Sequence, residues 1–192
     1  MLRQIIYSSI LFIFLFTSSN YSQWFWQNPL PQGNNLSDIY VFDENKAIAV
    51  GAIGTVIKTT DGGTSWNSQT SGTTVLLESV HFTDNNTGWA VGWDGTILKA
   101  TDGGTNWNSQ TSGMTVSLNS VHFTDNYTGW AVGGNGTILK TTDGGTNWNS
   151  QTSGMTEWLL SVHFTDNNTG WAVGSGGTIL KTTNGGVTFI RD

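Results

Sequence analysis

Three histidines, His81, His122 and His163, stand 41 residues apart. Copies of one position brought round a common axis could form a three-histidine metal site. Two sets of aspartates keep the same step: Asp61, Asp102 and Asp143, and then Asp84, Asp125 and Asp166, with Asp43 one step earlier. Two carboxylates facing each other across a cleft would suit glycoside hydrolysis. Several carboxylates in one loop would suit calcium, but each of these turns offers one. Lys58, Lys99, Lys140 and Lys181 form a further set. A residue that returns at a fixed interval is one structural position used repeatedly. The histidines therefore read as a surface or inter-unit position and the aspartates as turn residues. The remaining carboxylates, Asp38, Glu44, Glu78, Asp94, Glu157 and Asp192, form no evident pair. There is no cysteine and no Ser/His/Asp grouping outside the repeat. No catalytic residue, metal or cofactor is expected.

The elements that carry these residues are defined by the repeat. Gly88-Trp89-Ala90-Val91-Gly92 returns at 129–133 and 170–174, and Ala47-Ile48-Ala49-Val50-Gly51 is a looser first copy. Gly-Thr-Ile-Leu-Lys follows at 95–99, 136–140 and 177–181, preceded by Gly54-Thr55-Val56-Ile57-Lys58. A period in the low forties is that of one propeller blade. In the second unit, Leu77 to Phe82 alternates and makes strand A, and Thr83 to Gly88 is turn chemistry. Trp89 to Val91 makes a doubly buried strand B, Gly92 to Gly95 a hairpin loop, Thr96 to Ala100 strand C, and Thr105 to Gln110 strand D. Helix content should be near zero. The fold class is all-β: a β-propeller of four four-stranded blades, about 37–70, 77–111, 118–152 and 159–190. A single blade cannot bury both faces, so Trp89, Trp130 and Trp171, with Val91, Val132 and Val173, should fill the spaces between blades rather than stack on sugars.

The closing segment of each unit resembles the Asp-box, or BNR repeat: Ser/Thr-x-Asp-x-Gly-x-Ser/Thr-Trp/Phe. The residues that carry it are Asp61, Gly63 and Trp66; Asp102, Gly104 and Trp107; Asp143, Gly145 and Trp148; and Asn184, Gly186 and Phe189. Thr59 to Trp66 fits throughout, whereas Ala100, Asn106, Asn147 and Asn184 depart from the pattern. The whole unit is similar to the photosystem II stability/assembly factor repeats of the sialidase-like propeller superfamily. That resemblance implies a propeller and leaves function open, because such repeats occur in sialidases, other glycosidases, receptors and assembly factors. A sialidase site needs three arginines and a Tyr/Glu pair. Beyond residue 22 this chain has one arginine, Arg191. Physically, the aspartate should accept hydrogen bonds from turn N–H groups, the glycines should supply unusual backbone angles, and the tryptophan should fold back over the hairpin. Asn184 could do the same capping without a charge.

The copies differ mainly in two places, the B–C loop and the entry to strand A. In an up-and-down blade these lie on one face, opposite the Asp-boxes. Trp93, Asp94, Glu157 and Trp158 are therefore the candidate recognition face. The expected role is a non-enzymatic module for protein binding or assembly scaffolding; the alternative is a fragment of a carbohydrate-active Asp-box propeller that binds or cleaves a glycan. A net charge of −6 argues against nucleic acid. Residues 1–22 read as a signal peptide: Arg3, an apolar run Ile5–Phe16, then small polar residues, with cleavage near Ser22. The run is too short to span a bilayer, which places domain 23–192 in the periplasm or outside the cell. Trp24 to Gln27 reads as an extra D strand, although the fourth unit already has one. That surplus points to an incomplete or open ring: a fragment, or a protomer that completes its ring by self-association.

Overall fold

The computed structural model describes residues 33–191. The expected signal peptide and the strand at 24–27 lie outside the described residues. Blade one consists of β1 (Leu36–Val41), β2 (Ala47–Gly51), β3 (Val56–Thr59) and β4 (Asn67–Ser68). Blade two has β5 (Leu77–Phe82), β6 (Gly88–Gly92), β7 (Ile97–Ala100) and β8 (Asn108–Gln110). Blade three has β9 (Leu118–Phe123), β10 (Gly129–Gly133), β11 (Ile138–Thr141) and β12 (Asn149–Gln151). Blade four has β13 (Leu159–Phe164), β14 (Gly170–Gly174), β15 (Thr178–Thr182) and β16 (Ile190–Arg191). Each blade is an antiparallel meander with its strands in chain order. The first strands pack side by side, β1 on β5, β5 on β9 and β9 on β13.

Strands β2, β6 and β10 are buried at every residue, as their continuous apolar character requires. The D strands are shorter than the sequence pattern suggests: β8 begins at Asn108 rather than Thr105. In blade two the reason is local. Asp102 Oδ1 accepts the N–H groups of Thr105 and Asn106 at 3.0 Å, so these residues close a turn before the ladder can begin. The B–C loops are single tight turns, at Ala52–Gly54, Trp93–Gly95, Gly134–Gly136 and Ser175–Gly177, each with positive φ at its last two residues.

The core lies between blades, in three apolar clusters. Trp89 stacks on Phe123 of the next blade (centroids 3.5 Å, planes 9° apart), and its Nε1–H donates to Gly144 O at 3.1 Å. Trp130 repeats this against Phe164 and Gly185. Where blade one meets blade two, Ile48 and Phe42 take the place of a tryptophan. Trp171 and Val173 do not share the burial of their counterparts. Trp171 is half-buried and Val173 exposed, because no following blade covers them among the described residues. The four blades thus form an incomplete propeller with an open ring.

Candidate recognition surface

The turns separate onto two ends of the blades. At one end the Asp-box glycines bond to the A–B turns: Gly62 N–H donates to Asn45 O, Gly103 N–H to Asn86 O, and Gly144 N–H to Tyr127 O. At the other end the B–C turns bond to the segments entering strand A: Gly54 N–H donates to Val75 O, Trp93 N–H to Leu76 O, and Gly136 N–H to Glu157 O. The variable positions therefore collect opposite the Asp-boxes, as the up-and-down topology requires.

At the Asp-box end the repeated ionisable residues hold turns. Thr59 Oγ1–H donates to Asp61 Oδ1 at 2.8 Å, and Thr59 Oγ1 accepts the Gly63 N–H at 2.9 Å. Ser65 N–H and Oγ–H close on the two carboxylate oxygens at 2.9 and 2.6 Å. Gly62 and Gly63 take φ of 67° and 83°, the angles expected of them. Asp143 keeps the pattern with Asn147, whose backbone N–H and side-chain amide hold the carboxyl down at about 2. Asn184 also keeps it, accepting Thr182 Oγ1–H and Thr188 N–H. A neutral amide suffices, so the position works as an acceptor. Trp107 folds back, with Nε1–H donating to Gly104 O at 3.1 Å. Trp148 meets Phe123 edge-on as Trp107 meets Phe82, and Trp148 and Phe189 lie 3.3 and 3.4 Å from where a Cβ on Gly145 and Gly186 would stand, but among the described residues Trp148 Nε1 has no hydrogen-bond partner.

The other repeated sets link one blade to the next. Lys99 Nζ donates to Gly144 O at 2.8 Å, sharing that carbonyl with Trp89, and Lys58 Nζ donates to Gly103 O at 2.9 Å. Asp84 Oδ1 accepts two N–H groups of its own turn, and its Oδ2 accepts Asn126 Nδ2–H of the next blade at 2.8 Å. His81, His122 and His163 lie in a row along the first strands, with ring centroids 4.7 and 4.3 Å apart. His81 Nε2 reaches Phe123 O at 3.0 Å. Among the described residues no three His, Cys, Asp or Glu side chains gather in a way that could hold a metal ion.

The histidine row makes stability depend on pH. Burial, and then the neighbouring rings His81 and His163, push His122 down from 6.5 to about 4. Burial also lowers His81. Between pH 6.5 and about 4 the unfolded chain binds protons that the folded chain refuses, so stability is full above pH 6.5 and falls on acidification. The depression of His122 sets a ceiling near 3 kcal/mol, and solvent at the half-buried ring reduces the expected loss to about 1–2 kcal/mol. Urea midpoints measured from pH 7.5 to 4 should fall, and His122→Gln should flatten that slope. A lowered Asp-box carboxyl such as Asp143 acts in a separate window, contributing stability that is lost only as pH falls from 3.8 toward 2.

The opposite end is apolar and acidic. Trp93 is 50% exposed, and its Nε1–H donates to Glu78 Oε1 at 2.9 Å. Trp158 is 49% exposed, and its ring covers Gly134, where a Cβ would lie 3.6 Å from Trp158 Cε2. It thus occupies, above blade three, the place that Trp93 fills on blade two. Asp94 is the central turn residue with φ of 56°, and Glu157 lines an open cavity of about 460 Å³ with Met155, Leu180 and Phe189. Nothing hydrogen-bonds Asp94 to Glu157 among the described residues. Sequence reasoning missed Ile53. It is 64% exposed and sits at φ 57°, a conformation that Asp94, Asn135 and Gly176 tolerate at the same position and a β-branched residue resists. The residue types at that turn position carried the signal.

The family model for the photosynthesis system II assembly factor YCF48 matches residues 17–111 and 71–154. Among solved structures, YCF48 bound to D1 peptide superimposes with a TM-score of 0.69 at 24% identity, covering 84% of this chain and 54% of that one. YCF48 from Cyanidioschyzon merolae gives 0.67 at 23%, covering 85% and 57%. An ancestral GH74 enzyme gives 0.68 at 22%, covering 87% of this chain and 25% of that one. The chain thus spans a little over half the length of the two YCF48 structures. No curated protein matches the sequence. With four Asp-box blades in register and most of its length matched by one family model, the chain belongs to the photosynthesis system II assembly factor YCF48 family.

Proposed function

We propose that this chain is an exported, non-enzymatic module that binds a protein segment on the face opposite its Asp-boxes. The observation that carries this reading is the exposure of Trp93, Trp158 and Ile53 on short turns whose backbones are fixed by hydrogen bonds. Aromatic side chains held on rigid supports bind at low entropic cost. The αL conformation of Ile53 is strain without local packing to repay it, which marks a functional turn. The repeated Asp-box aspartates and the inter-blade lysines are already committed to turns and joints, which leaves little for catalysis. A family of assembly factors, and a relative solved with a bound peptide, support the same reading. Acidic Glu78, Asp94 and Glu157 on this face favour a segment with basic residues. Export rests on the order of basic, apolar and small residues at 1–22.

The second reading is a carbohydrate-active propeller. The GH74 likeness and the exposed indoles, which could stack on sugars, favour it. A displayed peptide library selected on the purified chain, run beside a glycan array and hydrolysis assays, separates the two. Selected peptides should lose at least tenfold in affinity on Trp93→Ala with Trp158→Ala. Ile53→Asn should weaken binding while raising the urea midpoint, since relieving αL strain is worth about 1 kcal/mol. Failure to select peptides, or glycan turnover abolished by Glu157→Gln or Asp94→Asn, overturns the proposal.

A further inference from the structure

The joint between blades has one plan. Each blade offers a knob face on its second and third strands and a socket face on its first strand and Asp-box. At the joint of blades two and three the knob is Trp89, Val91, Ile97 and Lys99. The socket is Leu118, Val121 and Phe123, closed by Gly144, Gly145 and Trp148. A Cβ on Gly145 would lie 3.1 Å from Trp89 Nε1, so the glycine makes the space that the indole fills. Blades three and four meet in the same way, with Trp130 on Phe164 and Gly185.

Among the described residues four blades make three such joints, and one knob and one socket remain over. The knob on blade four is half-buried Trp171 with exposed Val173 and Ile179 and with Lys181 over the indole, 5.2 Å from its centroid. Val173 is 42% exposed where Val91 and Val132 are fully buried. On blade one, Ile39 and Val41 are 52% and 61% exposed where their counterparts Val80 and Phe82 are buried. Beside Val41 lies an open cavity of about 200 Å³, lined among others by Thr59, Gly62, Gly63 and Trp66. With Val41 they are the repeat positions of Phe123, Thr141, Gly144, Gly145 and Trp148, of which Phe123, Gly144, Gly145 and Trp148 surround Trp89. Its rim carries Asp43 and Glu44, opposite in sign to Lys181 on the knob. The one lysine at the rim, Lys46, is turned toward blade two, where its Nζ donates to Asn85 O at 2.7 Å.

We propose that a second copy of this chain docks head to tail, with Trp171 of one copy filling the Val41 cavity of the other and the reverse contact closing a two-copy ring of eight blades. The knob and socket are different surfaces, so the contact is heterologous and terminates only by closing. Known propellers run from about four to eight blades. Two sets of the four described blades stay within that range. The occupant is specified by the joint itself: a knob with this indole, this lysine and these branched side chains exists on blade four.

Sedimentation equilibrium on the purified chain tests this, with Val173→Glu on the knob and Val41→Glu on the socket. Both positions are exposed, so each variant should fold, as circular dichroism will report. Wild type should show twice the monomer mass, and each variant alone the monomer mass, since either change spoils both joints of a ring. An equimolar mixture of the two variants should regain the dimer mass, because one intact knob then meets one intact socket. A monomeric wild type overturns the proposal. Variants that stay dimeric, a mixture that stays monomeric, or open filaments overturn it equally.

Discussion

Trp130→Ala should cost about 4 kcal/mol and uncouple blade four from blades one to three. The indole is fully buried, lies flat on Phe164 at 3.5 Å, and donates to Gly185 O at 3.1 Å. Truncating a buried Trp or Phe to alanine costs about 3–5 kcal/mol, because the cavity adds to the lost transfer energy. Here the loss falls on a single joint. In a stacked array stability is close to a sum of unit terms and nearest-neighbour terms, so weakening one joint lowers cooperativity as well as the midpoint. Urea unfolding followed by circular dichroism should become broader or biphasic. Hydrogen exchange should quicken in β13–β16 before it does in β5–β8. A single sharp transition with an unchanged midpoint would show that the joint does not rest on this indole.

Gly133→Ala should also be damaging, at about 3 kcal/mol, and Gly134→Ala beside it nearly harmless. A Cβ on Gly133 would lie 2.0 Å from Ser117 O, 2.9 Å from Ser117 C and 3.0 Å from Leu118 Cα. All three are backbone atoms, so no rotamer change relieves the clash and β9 must move away from β10. The angle is not at issue, since φ of −168° suits any residue. That carbonyl also accepts the Gly134 N–H at 3.0 Å, so displacing it opens the B–C turn. Overpacking on this scale belongs among the few mechanisms that produce large single-residue losses. A Cβ on Gly134 meets the Trp158 ring at 3.6 and 3.7 Å and Ser117 O at 3.9 Å, all ordinary contacts. Thermal midpoints of the two variants decide the matter: equal shifts would mean that the crowding at Gly133 is absent in solution.

The repeat, the order of four strands per blade and the burial of Trp89 and Trp130 were legible because each depends on periodicity or local pattern. The role of Asp61 as a turn acceptor was legible for the same reason, and Asn184 shows why a charge is dispensable. Exposure at Trp171 and Val173 was not legible, since periodicity equates copies whose surroundings differ. The shortened D strands escaped because Asp102 draws residues 105 and 106 into its turn, a competition that strand propensity does not register. The lysine clamp escaped because its acceptor is a main-chain carbonyl 45 residues downstream, and a sequence does not label carbonyls. Of the candidate recognition residues, Trp93 and Trp158 are about half exposed, with Asp94 in the turn of Trp93 and Glu157 next to Trp158.

The joints of blades two with three and three with four use the same residue types at nearly the same distances, and this bears on inheritance. A fold whose parts meet through interchangeable surfaces can gain or lose one 41-residue period by recombination between its own coding repeats, because the flanking parts still fit. Such a change would lengthen or shorten the arc without any new packing solution. Selection could then adjust the number of blades first and the side chains on the variable turns afterwards. The first joint, where Ile48 stands for the indole, would be the least interchangeable of the three.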